Sequence, residues 1–321
     1  MRLYLSIITI GVFFGPLLIN GPEYNSHILE DLINWDPILE VPETIPDSDV
    51  RSIVADVQRV NLKNHIANLS SHPSRVTGYE GADSAANYIE KQLSLIGLTD
   101  VRRETFNVTV PIDKGANLKI KNRNLKLFSL WPNGVRTSTL PAEGLRGHLI
   151  DVGKGTLAEL DGKQIKDCIA LMKFGSGNNY VQVRALGAQA IIFYDAGNVT
   201  RGESAEKFLQ VPVDIPRFWI GTSEADFLFK ELSESLENVL ISATMEWEQV
   251  EGHNIIAVLP GQDTEMPRGQ RQQTQKWNEQ VIVVQAHYDA ISVVPALAPG
   301  AESASGIAAL FESARPLKEY G

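Results

Sequence analysis

Residues 281–315 read VIVVQAHYDAISVVPALAPGAESASGIAALFESAR, and their order decides the fold. An apolar run, VIVVQA, leads into His287-x-Asp289. A loop rich in Gly and Pro follows, then the helix-like run GIAALFESAR. A buried strand that ends in polar side chains sets them at the carboxyl edge of a sheet, where open α/β folds bind ligands. Side chains at i and i+2 of a strand point the same way, so His287 and Asp289 are expected to face one crevice. A neutral imidazole is a common metal ligand. A carboxylate beside it can hold the ring in place without ligating. The loop then returns Glu302 to the same crevice, ahead of a helix from about Ser305. A carboxylate with two oxygens can bridge two metal ions. His-x-Asp spacing alone is a weak signal, because many surface and core pairs share it. The strand, glycine loop and helix around it carry the reading.

Composition bounds the rest. The chain has 321 residues, 43% hydrophobic and 21% charged, which suffices for a sizeable core. Two domains are expected at this length. A net charge of −10 with no Lys/Arg run argues against a nucleic-acid surface. The single cysteine, Cys168 in DCIALMKF, excludes an intrachain disulfide and a Cys-ligated zinc site. It reads as a small buried hydrophobe.

The amino terminus is expected to lie outside the fold. MRLYLSIITIGVFFGPLLIN places Arg2 before an apolar run from Leu3 to Ile19. Residues 1–22 read as a signal peptide or a retained signal anchor, since no good cleavage site follows and the run is about as short as a bilayer span can be. The bulk of the chain is then extracytoplasmic, secreted or membrane-anchored. Asn68, Asn107 and Asn198 each head an Asn-x-Ser/Thr sequon. Residues 23–47, rich in Pro, Asp and Glu, read as a linker or surface arm.

Helical spacing follows, which Asp47 or Ser48 can cap, with Val50, Ile53, Val54 and Val57 on one face. A second helix is expected near Leu62–Leu69. A third follows, with Ala85, Tyr88, Ile89, Leu93 and Ile96 in phase and Gly97 as its stop. VRRETFNVTVPI then alternates as a strand. From 118 to 250 short β-like runs dominate, among them LKIKN, LKLFSL, GHLIDVG, CIALMKF, AIIFYDA and LISATMEWE, with one helix at VQVRALGAQ. HNIIAVLPG and QVIVVQAHYD read as two strands joined by a long polar hairpin-like loop. Pro316 is expected to kink or end the last helix. Trp131, Trp219 and Trp247 read as core anchors. His65, His72, His148 and His253 read as surface, capping or structural residues, and Arg75 as an ion-pair partner that stabilises the fold.

The stretch from 281 resembles the family-28 zinc metallopeptidases, the aminopeptidase and glutamate-carboxypeptidase-like enzymes. Their motif is a hydrophobic strand, His-x-Asp, Pro-Gly-Ala, a metal-bridging Asp, and Ser-Gly opening a helix. This chain has AHYD, APGA, Glu302 and ASGIAALFESAR. HPSRVTGYEGADSAANYIEKQL resembles the family's amino-terminal helix signature, and GHNIIAVLPG the strand before the metal strand. GHLIDVGKGTLAELDGKQIKDCIALMKF and ALGAQAIIFYDA resemble the protease-associated domain inserted in many members. The resemblance covers roughly residues 48–321.

It implies an α/β mixed-sheet exopeptidase domain, residues 48–117 and 251–321, interrupted by a smaller β-rich protease-associated insert, residues 118–250. It implies two zinc ions, a peptide substrate, and room for membrane anchoring and a homodimer. His287 matches the first terminal metal ligand. Asp289 matches the carboxylate that supports it. Glu302 falls at the bridging-Asp position when counted back from Ser305-Gly306, and Ser303 is the rival alignment. The family's general-base Glu, an adjacent Glu, a further Asp and a final His have no counterpart by residue 321. The chain is therefore expected to be an N-terminal portion that lacks hydrolytic activity alone. A non-catalytic peptide- or protein-binding relative, and a multi-pass membrane protein with a peptidase-like lumenal domain, are the alternatives.

Overall fold

A computed structural model describes residues 2–7, 48–134, 136–197, 199–208, 212–232, 235–260 and 281–320. In chain order the elements are β1 (Arg2–Ile7), α1 (Ser48–Ala55), α2 (Arg59–Leu69), α3 (Glu80–Ile96), β2 (Thr99–Ile120), β3 (Arg123–Ser129), β4 (Leu145–Gly153), α4 (Leu157–Leu160), β5 (Cys168–Lys173), α5 (Tyr180–Ala185), β6 (Ala190–Tyr194), α6 (Arg201–Phe208), β7 (Arg217–Ile220), α7 (Thr222–Glu231), β8 (Ser235–Pro260), β9 (Val281–Val284) and α8 (Ala301–Tyr320). The expected arm at 23–47 and the polar loop before β9 lie outside the described residues, as does Asn198.

The fold is mixed α/β, as expected. Nine strands pair in the order β2-β3-β7-β6-β5-β4-β8-β1-β9, and β2 also pairs with β8. That extra pairing closes β2, β3, β7, β6, β5, β4 and β8 into a ring. Within it β4, β5, β6 and β7 run parallel. Strands buried on both faces carry continuous apolar runs, and CIALM and AIIFY are such runs. Their alternate side chains feed two cores. Ile169, Leu171 and Ile192 join Leu118 and Ile241 on one side. Cys168, Ala170, Ile191 and Phe193 join Tyr180 and Val183 on the other.

A separate core forms where α3 and α8 lie against the last third of β8. Ala85, Ile89 and Leu93 of α3 meet Ile307, Phe311 and Ala314 of α8 over Ile255, Ala257 and Leu259. Both helices present these residues at the three-and-four spacing of one face. Gly97 ends α3 in the left-handed region at φ 87°, with its N–H on Ser94 and that of Leu98 on Leu93.

Two expected strand pairs are single long strands. VRRETFNVTVPI and LKIKN merge into β2, and LISATMEWE and HNIIAVLPG merge into β8. The two pair antiparallel from Thr99↔Val258 to Lys119↔Leu240. Register shifts at Thr99/Arg102 and Asp113/Gly115 let the ribbon bend without breaking. Trp247 is 50% exposed on this ribbon, so it is not the expected core anchor. Trp131 is buried as expected.

Three further expectations change. Helix α8 starts at Ala301 rather than Ser305, and it runs through Pro316 to Tyr320. Packing of Phe311 and Ala314, with Arg315 bonded to the Asp56 carbonyl and Glu312, holds the turn that the proline weakens. VIVV is not a buried strand: Ile282, Val283 and Val284 are all exposed on β9, whose one described partner is β1. Arg2–Ile7, within the expected leader, form β1 between β8 and β9. Among the described residues no helix is long and apolar enough to cross a membrane.

Cys168 is fully buried, and burial pushes its thiol up to about 12. A raised pKa favours the protonated native thiol below the unfolded value and loses that advantage as pH rises towards 12. Wild-type stability should therefore fall relative to Cys168→Ala by about 1.4 kcal/mol per pH unit above ~8.5. Urea unfolding of both proteins between pH 7.5 and 10 measures this. The native thiol should also resist a disulfide reagent at pH 8 that labels it in urea.

Candidate metal-binding arm

Strand β9 ends at Val284, so His287 and Asp289 stand on irregular chain rather than on the strand itself. Alternation survives nonetheless. Tyr288 between them is 2% exposed and sinks into the helix-side core, with its hydroxyl donating to the His253 carbonyl at 3.3 Å. His287 is exposed and Asp289 half-buried. One buried aromatic thus fixes the chain that carries the two polar groups.

Burial raises the Asp289 carboxyl to about 6, against the pull of His287, its own backbone, Arg75 and the Thr77 hydroxyl. The two expected partners are therefore electrostatically in touch. Thr77 was not singled out from the sequence, although it sits in the HPSRVTG run that was.

Beyond Asp289 the chain runs alongside residues 73–76. Ala290 N donates to Arg75 O at 3.0 Å, Arg75 N to Ala298 O at 2.9 Å, and Ala298 N to Pro73 O at 2.8 Å. The Ser74 hydroxyl donates to Pro295 O at 2.6 Å. The far side of this loop leans on the ring of strands. Trp131 N donates to Val293 O at 2.7 Å, and Val293 and Val294 pack with Ile150 and Phe174. Val76, Trp131, Ala290 and Ala298 form a small core of their own at this junction.

Arg75 is fully buried, and it is not the ion-pair partner that the sequence suggested. Its guanidinium donates to backbone carbonyls and one hydroxyl. Burial pulls its pKa down to about 10, with Asp289 opposing, so it stays charged at neutral pH.

Glu302 lies in the first turn of α8 and is 90% exposed, with Arg201 of α6 at 3.7 Å. The expected crevice shared by His287, Asp289 and Glu302 is not built as a cluster. Among the described residues no three His, Cys, Asp or Glu side chains converge to hold a metal ion. His287 is suited to be one donor and Asp289 to orient it, but tetrahedral zinc needs about four donors counting water. The described residues therefore do not fit a complete zinc site. A depression of about 320 Å³ opens between β2–β3 and Ala296–Leu297, but His287, Asp289 and Glu302 do not line it.

Three other histidines among the described residues hold structure. His65 Nδ1 is 2.8 Å from the Tyr88 hydroxyl, and its ring lies 4.9 Å from that of Phe311. His148 Nε2 is 3.0 Å from Gln164 O, and His253 is buried 3.6 Å from Asp83.

No protein-family model matches the chain, and no curated protein matches it in sequence. Solved structures do. The zinc aminopeptidase of Bacillus subtilis superposes with a TM-score of 0.53 at 22% identity, over 82% of this chain and 58% of that protein. An aminopeptidase from Aneurinibacillus sp. strain AM-1 gives a TM-score of 0.44 at 24% identity, over 85% of this chain and 61% of that one. The chain thus spans about three fifths of the length of either protein.

Trp131→Ala should empty the junction between the loop and the ring of strands, at a cost of about 3–5 kcal/mol. Equilibrium urea unfolding gives the number. Limited proteolysis should then cut first between 290 and 298. Over most of its length, this chain shares the fold of the zinc aminopeptidase of Bacillus subtilis.

Proposed function

We propose that this chain is part of a zinc-dependent exopeptidase, aminopeptidase-like, that removes terminal residues from peptides. The observation that carries the reading is the arm itself. His287 and Asp289 follow β9 on a tied loop, in a fold shared with a zinc aminopeptidase. In this reading residues 48–117 and 251–321 belong to the peptidase domain. Residues 118–250 are a protease-associated insert, and the core of Leu118, Leu171, Ile192 and Ile241, all within that span, supports the division. The first 22 residues act as a leader or anchor that directs the protein out of the cytoplasm.

His287 offers an exposed imidazole as a metal donor. Asp289, bonded to the Thr77 hydroxyl and drawn by the charge of Arg75, holds that ring's orientation. Bound zinc in such enzymes supplies an activated water. Glu302 requires release from Arg201 before it can serve as a bridging ligand. The donors missing from the described residues are assigned in this proposal to other parts of the protein.

Leucine p-nitroanilide tests this directly. The product of the whole locus should cleave it in a chelator-sensitive manner, and His287→Ala should abolish the cleavage. Asp289→Asn should weaken zinc binding about 10–100-fold while leaving the fold unchanged by circular dichroism. A stop at codon 321 in the native transcript, or a whole-locus product that folds but binds no zinc, would sink the enzyme reading. The second result would favour a peptide-binding relative.

A further inference from the structure

We infer that Arg75 is a positioning residue that fixes the spacing between the His287–Asp289 arm and the start of α8. Its bearing on chemistry rests on the peptidase reading, but the geometry does not. A guanidinium has five N–H donors in a rigid plane. All five are used. Nε donates to Tyr288 O at 2.9 Å. Nη1 donates to Leu69 O at 2.8 Å and Pro299 O at 2.5 Å. Nη2 donates to Gly300 O at 2.7 Å and the Ser303 hydroxyl at 2.8 Å.

The partners fall into three places. Tyr288 lies between His287 and Asp289. Pro299, Gly300 and Ser303 flank Glu302. Leu69 ends α2. One side chain therefore ties both ends of the loop that separates the candidate ligands, and ties them to a helix of the neighbouring core. The loop's own hydrogen bonds act along its length with residues 73–76. The side chain of Arg75 adds a link from Tyr288, before the loop, to Pro299, Gly300 and Ser303, after it.

Gly300 shows how closely the fit is set. It has φ 63°, and a Cβ there would stand 2.5 Å from that of Ala290 and 2.9 Å from Nη2 of Arg75. Lysine cannot replace Arg75, because three donors on a point charge cannot meet five acceptors spread over a plane. The same geometry accounts for a fully buried cation at this place: each carbonyl supplies part of the solvation that burial removes.

Hydrogen exchange of the whole chain, read by mass spectrometry, separates positioning from general stability. In Arg75→Lys and Arg75→Gln, amides of 289–303 should exchange at least about tenfold faster. Amides of β5 and β6, in the other cores, should keep their rates. Ser303→Ala, which removes one of the five contacts and leaves the rest, should speed the same segment by about threefold and serves if the Arg75 variants do not fold. Equal acceleration everywhere, or an unchanged loop in Ser303→Ala and Arg75→Lys alike, would overturn the assignment. Zinc titration of the whole-locus product adds a second readout. Arg75→Lys should lower its zinc affinity about tenfold. If the wild-type product binds no zinc, the peptidase reading fails while the exchange data still decide the role of Arg75.

Discussion

The antiparallel ribbon of β2 and β8 is the constraint on which everything else hangs. It stays paired from Thr99 to Lys119, through two register shifts, and each of its ends belongs to a different core. At one end Leu118 and Ile241 face the ring of strands. At the other, Ile255 and Ala257 face α3 and α8. Backbone hydrogen bonds between long strands are insensitive to which side chains they carry. Two cores of different composition can therefore share one frame. Within each core, burial of about 25 cal/mol per Å² of apolar surface supplies the cohesion.

The loop that leads away from His287 occupies the angle between these two bodies. It is fastened on one side by residues 73–76 and on the other by Trp131 and the valines at 293 and 294. Gly81, in the first turn of α3, makes the close approach possible: a Cβ there would lie 2.0 Å from the Ser74 carbonyl oxygen. A helix that abuts Ser74 so closely fixes Arg75, and Arg75 fixes the loop. The candidate ligand arm is thus placed by packing that begins some two hundred residues earlier in the chain.

Local pattern explains which parts of this were legible. The 3.6-residue phase of Ala85, Ile89 and Leu93, the glycine after Ile96, and the unbroken apolar runs CIALM and AIIFY each announce an element by themselves. The i, i+2 spacing of His287 and Asp289 was read on a strand, whereas the strand ends at Val284 and the alternation is kept by the burial of Tyr288. What was not legible depends on distant partners. No periodicity says that 101–112 and 118–120 are one strand, since the join is sustained by β8. Nothing near Arg75 says that five oxygen acceptors await it, because most of them come from residues 288–303. Glu302 looked like a ligand by spacing alone. An early helix start, at Ala301, instead puts it on an exposed turn facing Arg201.

The first strand poses the opposite problem, a segment with two readings that are both physically sound. RLYLSI is apolar enough to lead a membrane-directed segment, and the same property suits a strand flanked on both edges. In the sheet, Leu5 stands opposite Ala257 on one side and Val284 on the other. Among the described residues β9 reaches the sheet only through this strand, and its Ile282, Val283 and Val284 stay exposed. The arm bearing His287 therefore has two attachments of different kinds. Tyr288 and the Arg75 contacts bind it to the cores directly, whereas β9 is bound through a strand that a leader would remove. The first attachment does not depend on β1. The position of His287 is consequently set from the Tyr288 side, and the slot between β8 and β9 sets only the strand behind it.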